Sequence, residues 1–152
     1  MFLIPYDRMT LHTPLNTDEV AARLSQVVDT ESKWYQRHSS KKEFYGSVSA
    51  AGFSVTRRIK GQNSHLPLIR GRFYPAEEGT DIVLTFSLQP ASVVFMVAFF
   101  LFLEGLSLYY RDRAGMIVLA FAYLVLHCIV YLVGYVPEKK KAEAMLKSVT
   151  GA

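Results

Sequence analysis

The chain has one cysteine, Cys128, so neither an intramolecular disulfide nor a cysteine-based zinc site can form. Its histidines, His12, His38, His65 and His127, share no HxxxH or HExxH spacing, and no GxSxG, phosphate-loop or paired-carboxylate motif occurs. No catalytic residue, metal site or cofactor is therefore expected. A dense basic stripe is missing as well: net charge is +4, with 11 Lys/Arg against 9 Asp/Glu before Pro90, which excludes nucleic acid as the expected partner. The first residues lack the basic start and unbroken apolar run of a signal peptide, because Pro5 and Asp7 interrupt them at once. Internal repeats and low-complexity segments are absent too.

What is abundant is apolar surface, 51% of the residues, concentrated near the C-terminus. Between Pro90 and Val136 the only charged residues are Glu104, Arg111, Asp112 and Arg113. They divide the block into 91–110 and 114–136, about 30 and 35 Å long as helices, which matches a hydrocarbon core of about 30 Å. This predicts a transmembrane hairpin bracketed by Pro90 and Pro137, with Tyr109, Tyr110, Tyr131 and Tyr135 as interfacial aromatics. An even number of spans puts both termini on one side. Arg70, Arg72 and Lys139 to Lys141 outnumber Arg111 and Arg113 near the membrane and assign that side to the cytoplasm. The expected location is the bacterial inner membrane, as a multi-pass protein with both termini cytoplasmic.

Residues 1–89 read as a cytoplasmic α+β module. A strand over 2–13 alternates Met9 and Leu11 against Arg8, Thr10 and His12. A helix follows, with Asn16 or Thr17 as cap, Asp18 and Glu19 in its first turn, and Val20, Leu24, Val27 and Val28 as its apolar stripe. Thr30 to Lys42 is a polar loop holding Trp34 and Tyr35. Four strands then alternate around Phe44–Ser49, Phe53–Lys60, Ile69–Tyr74 and Gly79–Leu88, forming an antiparallel meander with one buried and one wetter face. The expected fold is thus about five antiparallel strands with one packed helix, a hairpin over 90–136, and an amphipathic C-terminal helix over 137–152. That last helix carries Ala142, Met145, Leu146 and Val149 on the face that packs back on the module. Gly46 and Gly71, inside strands, are expected to admit a helix, a bulge or a close backbone.

Four segments carry a family resemblance: Phe44-Tyr45-Gly46-Ser47-Val48, Phe53 to Ile59, Leu66 to Phe73 and Gly79 to Leu84. With the two apolar runs and Glu138 to Leu146, the chain resembles a widespread family of small uncharacterised bacterial membrane proteins with the pattern FxGxV, FxIxRxI, PxIxGxF and GTxI. The resemblance implies a bacterial origin and a shared fold. In architecture alone the chain is similar to the β-barrel membrane effectors of cyclic-nucleotide antiphage systems, which also join two spans to a small β module.

Arg57 is the candidate ligand-binding residue, because the alternation of Phe53, Val55 and Ile59 places its guanidinium on the face that should be buried. It needs a bulge that turns it outward, an internal carboxylate, or a bound anion. Arg58, Lys60, Arg70 and Arg72 share the wetter face and, with Lys139, Lys140 and Lys141, are candidates for contact with lipid headgroups or a protein partner. Glu104 and His127 are ionisable groups within the spans. Glu104 is placed to reach Arg111 or Arg113, and His127 to hydrogen-bond a neighbouring helix. These features suggest a non-enzymatic, membrane-anchored binding or accessory protein, a small subunit of a larger bacterial membrane complex. Its partners would be membrane lipids and a protein or second copy met through the hairpin. The alternatives are a ligand-gated effector with an anion or nucleotide pocket near Arg57, and an enzyme acting on lipid or a small anion.

Overall fold

Helix formation starts where the sequence supplies a reciprocal cap. In the computed structural model, which describes residues 6–30, 42–59, 65–109 and 113–152, Asn16 Oδ1 accepts from the Glu19 amide at 2.8 Å. The Glu19 carboxylate accepts from the Asn16 amide at 3.0 Å, so two amides that the helix leaves over are satisfied together. Helix α1 (Thr17–Val27) buries Val20 and Leu24. It ends one residue before the apolar stripe does. Val28 is extended and, with Asp29, forms the short strand β2 (Val28–Asp29), which pairs in parallel with Phe44 and Tyr45 of β3 (Phe44–Ser49). The expected continuation of the helix through Val28 is corrected here: the β-branched side chain is fully buried as a strand residue. Lys42 satisfies the freed carbonyls, its Nζ donating to Ser25 O at 3.1 Å and Val28 O at 2.8 Å.

The remaining strands are β1 (Tyr6–Thr13), β4 (Gly52–Arg57), β5 (Pro67–Pro75) and β6 (Thr80–Leu88). The order in the sheet is β1-β6-β5-β4-β3-β2. Five strands pair antiparallel as expected, and the parallel β2 makes the sheet six-stranded and mixed. The N-terminal strand closes against the last one, so α1 carries the chain from one edge to the other. Leu11, Val55, Ile69, Ile82, Leu84 and Phe86 form the buried face. Space there is created by glycine: a Cβ on Gly71 would lie 2.2 Å from the Phe53 ring, and one on Gly46 would lie 2.1 Å from the Ser54 carbonyl oxygen.

After β6 the chain enters helix α2 (Pro90–Tyr109), then α3 (Arg113–Val130), a π-helical turn (Tyr131–Tyr135) and α4 (Val136–Thr150). From Ala114 to Thr150 the helix is continuous. The break expected at Pro137 does not occur. Val136 donates its amide five residues back, to Tyr131 O, and this widened turn stands directly before the proline, which has no amide to give. Among the described residues, two helices are long and apolar enough to cross a membrane by length and composition. Of their most apolar stretches only 11% and 0% is buried, unlike the core helix of a soluble protein. Tyr123 joins them, its hydroxyl donating to Met96 O at 2.7 Å and its ring lying 5.1 Å from that of Phe100.

Helix α4 packs on the same face of the sheet as α1, burying Ala142 and Leu146, and stops at Gly151, whose φ of 72° closes the helix with its amide N–H donating to Lys147 O. Lys139 at its start binds Asp7 of β1, and Thr150 O at its end accepts from Thr13 Oγ1 at 2.6 Å. Six strand steps cover about 20 Å and eleven helix steps about 17 Å. Strand and helix therefore run side by side, and the sheet stands along the axis of the helix that continues from the apolar segment.

Candidate functional site

Two polar regions flank this joint between sheet and helix. The first is a charged seam where the long helix meets the sheet. The pairing of β3 with β4 runs without a bulge from Ser49↔Gly52 to Phe44↔Arg57, so Arg57 keeps the inward orientation that the alternation implies. Its guanidinium pairs with Glu138 of α4, with 19% and 13% of the two side chains exposed. Of the three surroundings considered for Arg57, the internal carboxylate is the one present. Glu138 also accepts from Lys141 Nζ at 3.0 Å. Beside this group, Lys139 binds Asp7 and lies 5.4 Å above the Phe86 ring, and the hydrogen bond from Lys139 holds the Asp7 carboxyl below its usual range. One turn before Glu138, Tyr135 is 1% exposed. Its hydroxyl and the Nε of Arg57 are buried without a hydrogen-bond partner among the described residues. Tyr131 stacks on Tyr135 at 5.3 Å.

Arg58, the residue after the inward Arg57, stays on the outer side by alternation but is already engaged there. It pairs with Asp29 at 3.0 Å, the two side chains 11% and 16% exposed, and ties the end of β4 to β2 at the sheet edge. Lys60 lies outside the described residues. Lys139 is likewise engaged in the seam, whereas Lys140 and Lys141 are exposed.

The second region is the open face of the sheet. Arg70 and Arg72 point out of β5 and are exposed. Register adds a residue that was read from the sequence only as the polar side of the first strand. Arg8 of β1 is opposite Thr85 of β6, which is opposite Arg70, and Thr10 and Val83 share the next row with Arg72. Tyr6 and Tyr74 flank these rows, 64% and 46% exposed. The one carboxylate on this face of β1, β6 and β5, that of Asp81, is engaged by His12 Nδ1 at 2.8 Å. Alternation alone placed each arginine on a polar face; only the pairing of β1 with β6, chain-distant strands, reveals that the faces are one.

Within the apolar helices, Glu104 is half-buried and its Oε1 has no partner among the described residues. Arg111 and the side chain of Arg113, its expected partners, lie outside those residues. His127 stacks on Tyr123 at 6.5 Å. It also neighbours His65, just ahead of β5, whose pKa is lowered by burial and secondarily by His127. His38, Trp34 and Tyr35 lie outside the described residues. No group of three or more His, Cys, Asp or Glu among the described residues could hold a metal ion.

No family model and no curated protein matches this chain. Among solved structures it is similar to the solution NMR structure of the Polyketide_cyc-like protein Cgl2372 from Corynebacterium glutamicum. The identity is 13%, the coverage 88% of this chain and 93% of that one, and the TM-score 0.34.

Proposed function

We propose that this chain is a non-enzymatic, membrane-anchored binding or accessory protein, a small subunit of a larger bacterial membrane complex. One observation carries the reading: a single helix, continuous from Ala114 to Thr150, has an apolar, uncovered first part and a second part docked on the sheet through Lys139, Ala142, Leu146 and Thr150. A module held so firmly to its anchor is presented in one orientation at the bilayer, which suits a subunit that must meet a neighbour in the same membrane. In this reading α2 and the helix from Ala114 span the inner membrane and both termini are cytoplasmic. Arg70, Arg72, Lys140 and Lys141 support that orientation. The effector alternative needs Arg57 free for an anion, whereas Glu138 already engages it.

Native gel electrophoresis of gently solubilised membranes tests the proposal. The chain should migrate in an assembly well above the size of its own 17.2 kDa polypeptide with bound detergent. Migration as an isolated monomer would sink the accessory role. A reporter fused after Ala152 should behave as cytoplasmic, and a periplasmic signal would sink the orientation.

A further inference from the structure

We infer that the open face of the sheet, centred on Arg8, Arg70 and Arg72, is a lateral docking surface for an acidic segment of a protein partner. The inference rests on the accessory reading and names the partner's chemistry. Arg8 and Arg70 stand two strands apart on either side of Thr85, about 10 Å from each other, and Arg70 and Arg72 are about 7 Å apart along β5. None of the three has an ion-pair partner among the described residues, and Asp81 is taken by His12. Three exposed guanidiniums on one surface repel one another, and carboxylates arriving from outside relieve that repulsion while accepting bidentate hydrogen bonds.

A protein fits this face better than a lipid surface, for two reasons. The sheet stands alongside α4, with Asp7 at the membrane-facing end of that helix and Thr13 at its far end. The open face is thus turned sideways. Headgroups can reach its lowest row, whereas Arg72 lies about 7 Å and Tyr74 about 13 Å farther up the strands than Arg70. The residue types point the same way: arginine and tyrosine, with Tyr6 and Tyr74 bounding the arginines, are the side chains that concentrate binding energy at protein interfaces. Lysines, which suit diffuse contact with anionic headgroups, occur instead on α4 at the seam.

The test uses the full chain in its native membrane with a benzophenone amino acid at Thr10, level with Arg72, and the same probe at the exposed Ser148 of α4 as a control. Irradiation should give, from Thr10 and not from Ser148, an adduct with a different protein mapped to an acidic segment. Arg70→Glu/Arg72→Glu should lower its yield at least about tenfold, and reversing the partner's acidic residues should restore it. High salt applied to the unsubstituted arginines should lower the yield too, which covers the case of a charge-reversed variant that folds poorly. An adduct with lipid only, with a second copy only, no adduct, or an adduct indifferent to charge reversal and salt would each overturn the docking surface. If the chain still migrates in a large assembly after such a result, the accessory role stands without this face. If it migrates alone, the accessory role itself falls.

Discussion

Arg57 at the end of the fourth strand and Glu138 at the start of the last helix form an ion pair across 81 residues of sequence, the whole apolar hairpin lying between them. The pair clamps the sheet to the helix that continues from the apolar segment, at the point where the π-helical turn hands over to α4. It is unequal in its reserves. Glu138 has a second cation, Lys141, while Arg57 Nε has no acceptor among the described residues.

That inequality sets the order of two substitutions. Glu138→Ala strands a mostly buried guanidinium and should cost about 3 kcal/mol or slightly more, the lower end for a broken buried pair because some solvent reaches it. Arg57→Ala leaves Glu138 with Lys141 and should cost less, and Arg57→Met/Glu138→Leu together should come close to wild type. Urea unfolding in detergent, run as a double-mutant cycle, measures all three. Equal costs below about 0.5 kcal/mol would mean that the pair clamps nothing.

Two glycines separate a backbone constraint from a side-chain one. At Gly46, with φ of 147°, an added methyl meets the Ser54 carbonyl oxygen. Gly46→Ala should cost at least about 2 kcal/mol, and no neighbouring side-chain change should recover it. At Gly71 the obstacle is the Phe53 ring. Gly71→Ala should cost about 1 to 3 kcal/mol through overpacking, with part recovered by Phe53→Leu. Full rescue at Gly46, or none at Gly71, would reverse these assignments.

What was legible in the chain follows from the range of each interaction. The cap of α1 was visible because Asn16 and Glu19 are three residues apart, and the inward aim of Arg57 because a strand repeats every two residues. Glu138 as its partner was not, since no local period relates residues on opposite sides of the hairpin. Val28 was misread because valine serves an apolar helix stripe and a buried strand equally well, and only the parallel pairing with Phe44 decides between them. Pro137 suggested a stop that a single widened turn makes unnecessary. The open-face cluster was half legible: Arg70 and Arg72 share a strand, whereas Arg8 joins them only through pairing with β6.

The contact between the two apolar helices should be measurable apart from the module. Tyr123→Phe removes the hydroxyl that donates to Met96 O but keeps the ring against Phe100. The hairpin should lose about 1 kcal/mol, the usual scale for a hydrogen bond between helices in lipid. Forced unfolding of single molecules in bicelles would report this as a weaker helix-separation step, with the unfolding of the sheet unchanged. A shift in the sheet transition and none in the hairpin would show that Tyr123 acts elsewhere.

His65 gives the module a pH dependence whose sign is fixed by the direction of its shift. Burial, and then the neighbouring His127, lower its pKa below the ordinary 6.5, so at a given mildly acidic pH the unfolded chain binds more protons at this position than the folded one. The stability associated with neutral His65 is fully present above 6.5 and declines as pH falls from there through the lowered folded value. Asp7, whose pKa is also lowered, gives a loss of the same sign in a separate window below its ordinary 3.8. Thermal unfolding between about pH 8 and about pH 5 should therefore show a steeper loss of stability toward acid in the wild type than in His65→Asn, with His127→Gln between the two because burial of His65 remains. Profiles of wild type and His65→Asn that run parallel would show that His65 charges as easily in the folded protein as in water and would assign any dependence to another group.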